Sequence, residues 1–298
     1  MRRTAALTLV AVVLAGCSSA GASGKPTIVV TTNILGDITS NLVGDQADVV
    51  VLMPPNSDPH SFEISASEAA RVQSADLMIA NGLGLEEGVA ATIDAARSEG
   101  IVVVEAGSAV DPIAYVTGQS TGAADPHIWT DPERMRDVVA LIGDSISENV
   151  DGIDIDTAVA EYDEELVELD ATMSDRFEAI PAGQRTLVTN HHVFGYLAER
   201  YDFDVLGAVI PSGTTLASPS ASDLSELADT VRTAGVRTIF VDSSQPDRLA
   251  QVMASEAGVQ IDVVELFTES LGDENSEAST YLDMMDFNST AIAEGLQP

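Results

Sequence analysis

The longest uninterrupted helical signal in the chain lies in its middle. From Asp154 to Ile180 there is no glycine or proline, and Ala158, Tyr162, Leu166, Leu169, Met173 and Phe177 recur three or four residues apart. That spacing lines one helix face with apolar groups and leaves the carboxylates on the other. Asp154 is placed to cap the start, and Pro181 stops the helix. At 1.5 Å per residue such a rod is roughly 40 Å long, enough to run along two domains as a stiff spine. A coiled coil would use a similar seam, but this one covers too few heptads to favour it.

On both sides of the spine, short β-branched runs alternate with helical stretches. Ile28 to Thr32, Val49 to Met53, Leu77 to Ala80 and Ile101 to Glu105 precede it; Thr186 to Thr189, Val205 to Ile210, Thr238 to Asp242 and Ile261 to Leu266 follow it. Periodicity places helices between them, among others Ser65 to Ser74 and Ser222 to Ala234, the latter with Leu224, Leu227 and Val231 at core spacing. Alternation of this kind predicts parallel sheets covered by helices. Four runs followed by four predict an α/β protein of two similar lobes, 27–150 and 182–298, joined by one long rigid helix within 151–181. A chain of 298 residues, 45% of them apolar, is large enough to give each lobe a core.

The N-terminus reads as a targeting segment. Arg2-Arg3 precede an apolar stretch from Ala5 to Leu14 that is too short to span a bilayer, so 1–16 is expected to be a secretory signal. It ends in Leu14-Ala15-Gly16-Cys17, which resembles the bacterial lipobox, in which the cysteine is lipidated after cleavage. Cys17 is the only cysteine, which excludes an internal disulfide and leaves a thiol suited to attachment. The Ser/Gly/Ala-rich stretch that follows completes a flexible tether over 17–26. No later apolar run is long enough for a membrane helix. The formal charge of −35, with Lys25 as the only lysine, offers no basic patch for phosphates and argues against a nucleic-acid partner. Most of that charge reads as solvated acidic helix faces, or as adaptation to high salt.

Histidine use is concentrated. The chain has four, His60, His127, His191 and His192. Each of the first three lies downstream of a strand-like run, in a loop marked by Pro, Asp or Asn: Pro54-Pro55-Asn56-Ser57-Asp58-Pro59-His60, Asp125-Pro126-His127 and Asn190-His191. In open α/β sheets ligands collect at the carboxyl ends of strands, and in a two-lobed protein those ends face each other across a cleft. Imidazole nitrogen is a good ligand for borderline cations, so three histidines in equivalent positions predict one metal site in the interlobe cleft. Of the adjacent pair, His191 is favoured, because neighbours in an extended chain point to opposite sides. A fourth ligand is expected from the end of the last strand, where Leu266-Phe267-Thr268-Glu269 supplies a carboxylate; Asp242 is its rival.

These segments resemble the zinc- and manganese-binding receptors of bacterial ABC importers, solute-binding lipoproteins also described as adhesin-like. The resemblance rests on Pro59-His60-Ser61-Phe62-Glu63, on Asp125-Pro126-His127-Ile128-Trp129 with Asp131-Pro132, and on His191-His192-Val193-Phe194-Gly195-Tyr196-Leu197. Ser218-Pro219-Ser220-Ala221, Leu266-Phe267-Thr268-Glu269-Ser270 and Tyr281-Leu282-Asp283-Met284-Met285 with Asn288 extend it over nearly the whole mature chain. The resemblance implies two lobes joined by a long helix, and ligands at His60, His127, His191 and Glu269. It also bears on the metal, since zinc receptors of this family have histidine at the third position and manganese receptors often a carboxylate. Three departures concern metal identity: His192 stands where an acid is common, Glu269 where aspartate is common, and the loop from Thr117 to Ala124 lacks the His/acid-rich insertion of many zinc members.

The expected function is therefore an extracytoplasmic, lipid-anchored, monomeric receptor that captures Zn2+, or alternatively Mn2+, and hands it to an ABC-transporter permease. It is not expected to be an enzyme. Four protein ligands would close a tetrahedral site and leave no position for an activated water, and no Gly-x-x-x-x-Gly-Lys motif is present. A zinc hydrolase with Glu269 as general base is the enzymatic alternative, without a His-Glu-x-x-His motif to support it. An adhesin with a merely structural metal is the third.

Overall fold

The computed structural model describes residues 24–297 except 117, 246 and 259. The expected leader and the lipidation at Cys17 lie outside the described residues, among which no helix is long and apolar enough to cross a membrane.

The first half forms β1 (Thr27–Val30), α1 (Asn33–Val43), β2 (Asp48–Val51), α2 (Ala66–Val72), β3 (Leu77–Ala80), α3 (Ala90–Ser98) and β4 (Val103–Glu105). Next come α4 (Pro132–Asn149) and α5 (Asp156–Glu178). The second half supplies β5 (Thr186–Thr189), α6 (Gly195–Tyr201), β6 (Asp204–Ala208), α7 (Ala221–Ala234), β7 (Thr238–Asp242), α8 (Arg248–Ala257), β8 (Asp262–Leu266) and α9 (Tyr281–Gly295).

The strands make two separate four-stranded sheets of the same design, ordered β2-β1-β3-β4 and β6-β5-β7-β8, with every pairing parallel. β3 and β7, inside their sheets, are buried along their whole length, whereas the outer strands β2 and β4 have none of their residues fully buried. This is the gradient expected when helices cover both faces of a parallel sheet and only its edges approach solvent. Helix starts are set locally: Ser65 and Ser220 form capping boxes with Glu68 and Asp223, and Asp131 caps α4 with Pro132 in its first turn.

The spine is present as α5 but shorter than its sequence pattern, about 34 Å at 1.5 Å per residue. Tyr162, Leu166, Leu169, Met173 and Phe177 form its buried face. Asp154 does not cap it. The residue preceding the helix is Ile155, while the backbone of Asp154 is held by Gln46, whose side chain accepts from its N–H and donates to its carbonyl, both at 2.8 Å. A long-range bond thus took the place of the local cap. α5 packs on α1 and α4 of the first half and on the C-terminal helix α9. One hydrophobic core accordingly runs through both halves, from Ile28 and Ile79 through Trp129 and Phe177 to Phe240 and Tyr281. A helix without Gly or Pro, embedded in a continuous core, resists bending.

Candidate metal centre

The loops that leave the carboxyl ends of β2, β4, β5 and β8 carry His60, His127, His191 and Glu269 respectively, and all four side chains meet. None is more than 2% exposed. One ligand atom from each lies within 4.8 Å of all the others. Nε2 of His127 is 3.3 Å from Nε2 of His60; Glu269 Oε1 is 3.5 Å from His127 Nε2 and 3.0 Å from His191 Nε2, and Oε2 is 3.7 Å from His60 Nε2. The imidazole rings meet edge-on, with centroids 5.3 to 5.8 Å apart. A tetrahedral ion with bonds of about 2.0–2.1 Å has ligand-to-ligand edges of about 3.3 Å, the scale seen here.

The chemistry of the cluster points the same way. Both carboxylate oxygens of Glu269 and Nε2 of His191 are buried and face only one another and the other imidazole nitrogens, without a well-aligned hydrogen bond. Buried polar atoms are rarely left so, and a shared cation would satisfy them together. Burial, reinforced by the neighbouring imidazoles of His127 and His191, pushes the pKa of His60 down to about 2 and keeps its ring neutral. Burial acts in the same sense on His127, but the carboxylates of Glu269 and Asp125 outweigh it and raise its pKa. Burial raises the pKa of Glu269, against the pull of His127 and His191.

The His127 ring and the turn that carries Glu269 are held from behind. Asp125 Oδ1 accepts from both the backbone N–H (2.9 Å) and the Nδ1 of His127 (2.7 Å), which turns the Nε2 lone pair toward the other donors. Tyr115 adds its hydroxyl, 3.1 Å from His127 Nδ1 and donating to Gly213 O at 3.3 Å; a Cβ on Gly213 would overlap the Tyr115 ring. Burial pushes the phenol far above its usual range, so it stays a donor. The Asp-Pro-His tripeptide was the sequence signal for Asp125. Nothing local marks Tyr115.

Asp242, the rival carboxylate, points elsewhere. Its Oδ2 accepts the N–H groups of Thr268 (3.0 Å) and Glu269 (3.1 Å), so it braces the turn from which Glu269 reaches the imidazoles. The same turn is gripped by Trp129, whose Nε1–H donates to Thr268 O at 2.9 Å, and by Asn33, which accepts from Leu271 N at 3.0 Å. Asn288 of α9 pins Phe267 through both its N–H and its carbonyl. His192 stays outside the cluster. Its ring lies beside Tyr115, so the adjacent histidines do diverge, although the backbone there is a bend and not a strand.

Asp125→Asn is expected to lower metal affinity by about 10–100-fold, the usual effect of losing the outer partner of a ligating imidazole. Chelator competition measures it, and an unchanged affinity would show that Asp125 does not orient His127.

The comparisons with known proteins agree with this geometry. The family described as zinc-uptake complex component A, periplasmic (ZnuA) matches residues 28–295. The manganese-binding lipoprotein MntA of Halalkalibacterium halodurans is 30% identical over 297 residues, spanning 97% of this chain and 96% of its own. The zinc-binding protein TroA of Treponema pallidum is 29% identical over 287 residues, 94% of this chain and 92% of its own. The solved structure of that periplasmic zinc-binding protein superposes with a TM-score of 0.84 at 27% identity, covering 92% of this chain and all of the other. An uptake component binds and delivers; it does not turn over a substrate, and the hydrolase alternative falls with that. Two matched parallel sheets, a long helix between them and a buried cluster of three histidines and a glutamate, in a chain matched almost end to end, place this protein in the ZnuA family of metal-binding receptors.

Proposed function

We propose that the protein captures a divalent transition metal, zinc in the first instance, through His60, His127, His191 and Glu269, and delivers it to an ABC-transporter permease. The observation that carries this reading is the convergence of four buried donor groups from four loops, with their ligand atoms turned toward one another. Each sheet draws its strands from one side of α5, which supports reading 27–150 and 182–298 as lobes joined by 151–181. The lipobox-like Leu14-Ala15-Gly16-Cys17 supports a lipid anchor on the outer face of the membrane.

Three nitrogens and one oxygen suit tetrahedral zinc, since manganese favours more oxygen. A manganese reading draws support from Glu269, both of whose oxygens face the imidazoles and would give a fifth donor if both ligated. Coordination measured by X-ray absorption on the zinc- and manganese-loaded protein decides between them, because zinc outcompetes manganese at almost any nitrogen/oxygen site. Zinc is expected to bind at one equivalent with four donors; a zinc complex short of four protein donors, beside a manganese complex ligated by both oxygens of Glu269, would reverse the assignment. Because the carboxylates of Glu269 and Asp125 raise the pKa of His127, protons compete with zinc for that imidazole below the raised value. Affinity is then expected to fall about tenfold per pH unit as pH drops below that value. Binding independent of pH between about 5 and 8 would contradict histidine ligation.

A further inference from the structure

The tripeptide Asp-Pro-His occurs twice, at Asp58-Pro59-His60 and Asp125-Pro126-His127. In both copies Oδ1 of the aspartate accepts the backbone N–H of its own histidine at 2.9 Å. The rest of each carboxylate is used differently. Asp125 also takes the imidazole Nδ1 of His127, whereas Nδ1 of His60 has no protein partner. Asp58 instead turns Oδ2 outward, where it accepts from the hydroxyl of Ser61 at 3.0 Å, the hydroxyl of Thr215 at 2.6 Å and the side-chain amide of Gln245 at 3.0 Å. Thr215 lies between β6 and α7, and Gln245 follows β7. The last two donors therefore come from the side of the cleft opposite His60.

We propose that Asp58 is a latch that couples closure of the cleft to retention of the metal, a proposal that rests on the reading of the cluster as a receptor site. One carboxylate oxygen holds the backbone of the His60 loop, and the other holds two side chains of the facing lobe. A cation enclosed by His60, His127, His191 and Glu269, all buried, leaves only when the lobes separate around it. Separation pulls Thr215 and Gln245 away from Asp58. Hydrogen bonds to a buried carboxylate are among the stronger ones a neutral donor makes, so they resist the opening step. The latch acts on release more than on capture, because it forms once the cleft has closed. Asp58 is a positioning residue that does not itself touch the metal.

The test uses the purified protein loaded with one equivalent of zinc, mixed with excess chelator in a stopped-flow instrument. The double variant Thr215→Val/Gln245→Ala is expected to release zinc about tenfold faster than the parent, with an association rate within about twofold. Thr215→Ser, which keeps the hydroxyl, is expected to restore slow release relative to Thr215→Val. Asp58→Asn is expected to speed release, and adding Thr215→Val/Gln245→Ala to it should cause less than the full further effect, since the partners act as a unit. Release from the double variant within about twofold of the parent, or no difference between Thr215→Ser and Thr215→Val, would overturn the latch. Should Asp58→Asn not fold, the serine and valine pair still decides. A parent protein that fails to take up zinc would refute the receptor reading itself, whereas normal uptake with unchanged release in the variants refutes the latch alone.

Discussion

Replacing His127 with alanine is expected to weaken zinc binding by more than about a hundredfold while the metal-free protein stays folded. The lower bound follows from chemistry: loss of an outer partner already costs 10–100-fold, and His127 would be a direct ligand. It is also the most constrained imidazole of the cluster, with Nδ1 shared between Asp125 and Tyr115 and Nε2 within 3.5 Å of both His60 and Glu269. The substitution leaves a cavity and strands part of the Asp125 carboxylate, a loss of about 2–4 kcal/mol by analogy with other large-to-small changes in buried positions. A chain with a core running through both halves can bear that loss and remain native. Chelator competition and circular dichroism measure the two quantities separately. Loss of folded structure together with binding would identify His127 as a core residue and not as a ligand.

Zinc itself is expected to raise the melting temperature by about 10 °C at a free concentration a thousandfold above Kd. Binding to the native state alone contributes about 4 kcal/mol under that condition, and for a chain of this size each kcal/mol shifts Tm by about 2–4 °C. Chelation should return Tm to the metal-free value with the far-UV spectrum unchanged. The site is assembled by protein contacts, Asp242 and Trp129 behind Glu269 and Asp125 behind His127, so the cargo is not needed to build it. A protein that unfolds when zinc is removed would instead have a structural metal, as the adhesin alternative requires.

Much of this architecture is legible in the sequence, because it rests on short-range periodicity. The apolar stripe from Tyr162 to Phe177 repeats every three or four residues and needs nothing distant to make it a helix. The β-branched runs stand at or within a few residues of all eight strands, with differences at their ends where pairing stops. Val209 and Ile210, read as strand, lie just past β6, although their N–H groups still bond to Thr189 and Asn190. The spine starts at Asp156, later than its periodicity predicts, since Gln46, far away in sequence, claims the backbone of Asp154.

The site divides along the same line. Three histidines downstream of strand-like runs, in a chain with only four, mark the carboxyl-end loops of an α/β protein, and that pattern needs only composition and order. The sequence by itself thus determined the fold class, the spine and the three imidazoles that meet. Only the tertiary structure places Glu269 among the imidazoles and Asp242 behind the turn, because both are acids at strand ends and they differ in which one is consumed by backbone N–H groups. It alone revealed Tyr115 beside His127, Trp129 and Asn33 gripping the Glu269 turn from the other half, and Asp58 reaching Thr215 and Gln245. These partners are separated by up to 238 residues, and no local propensity constrains a hydrogen bond across such a distance. They exist because two sheets packed on one core bring their loop ends together, where each buried polar group must find a partner.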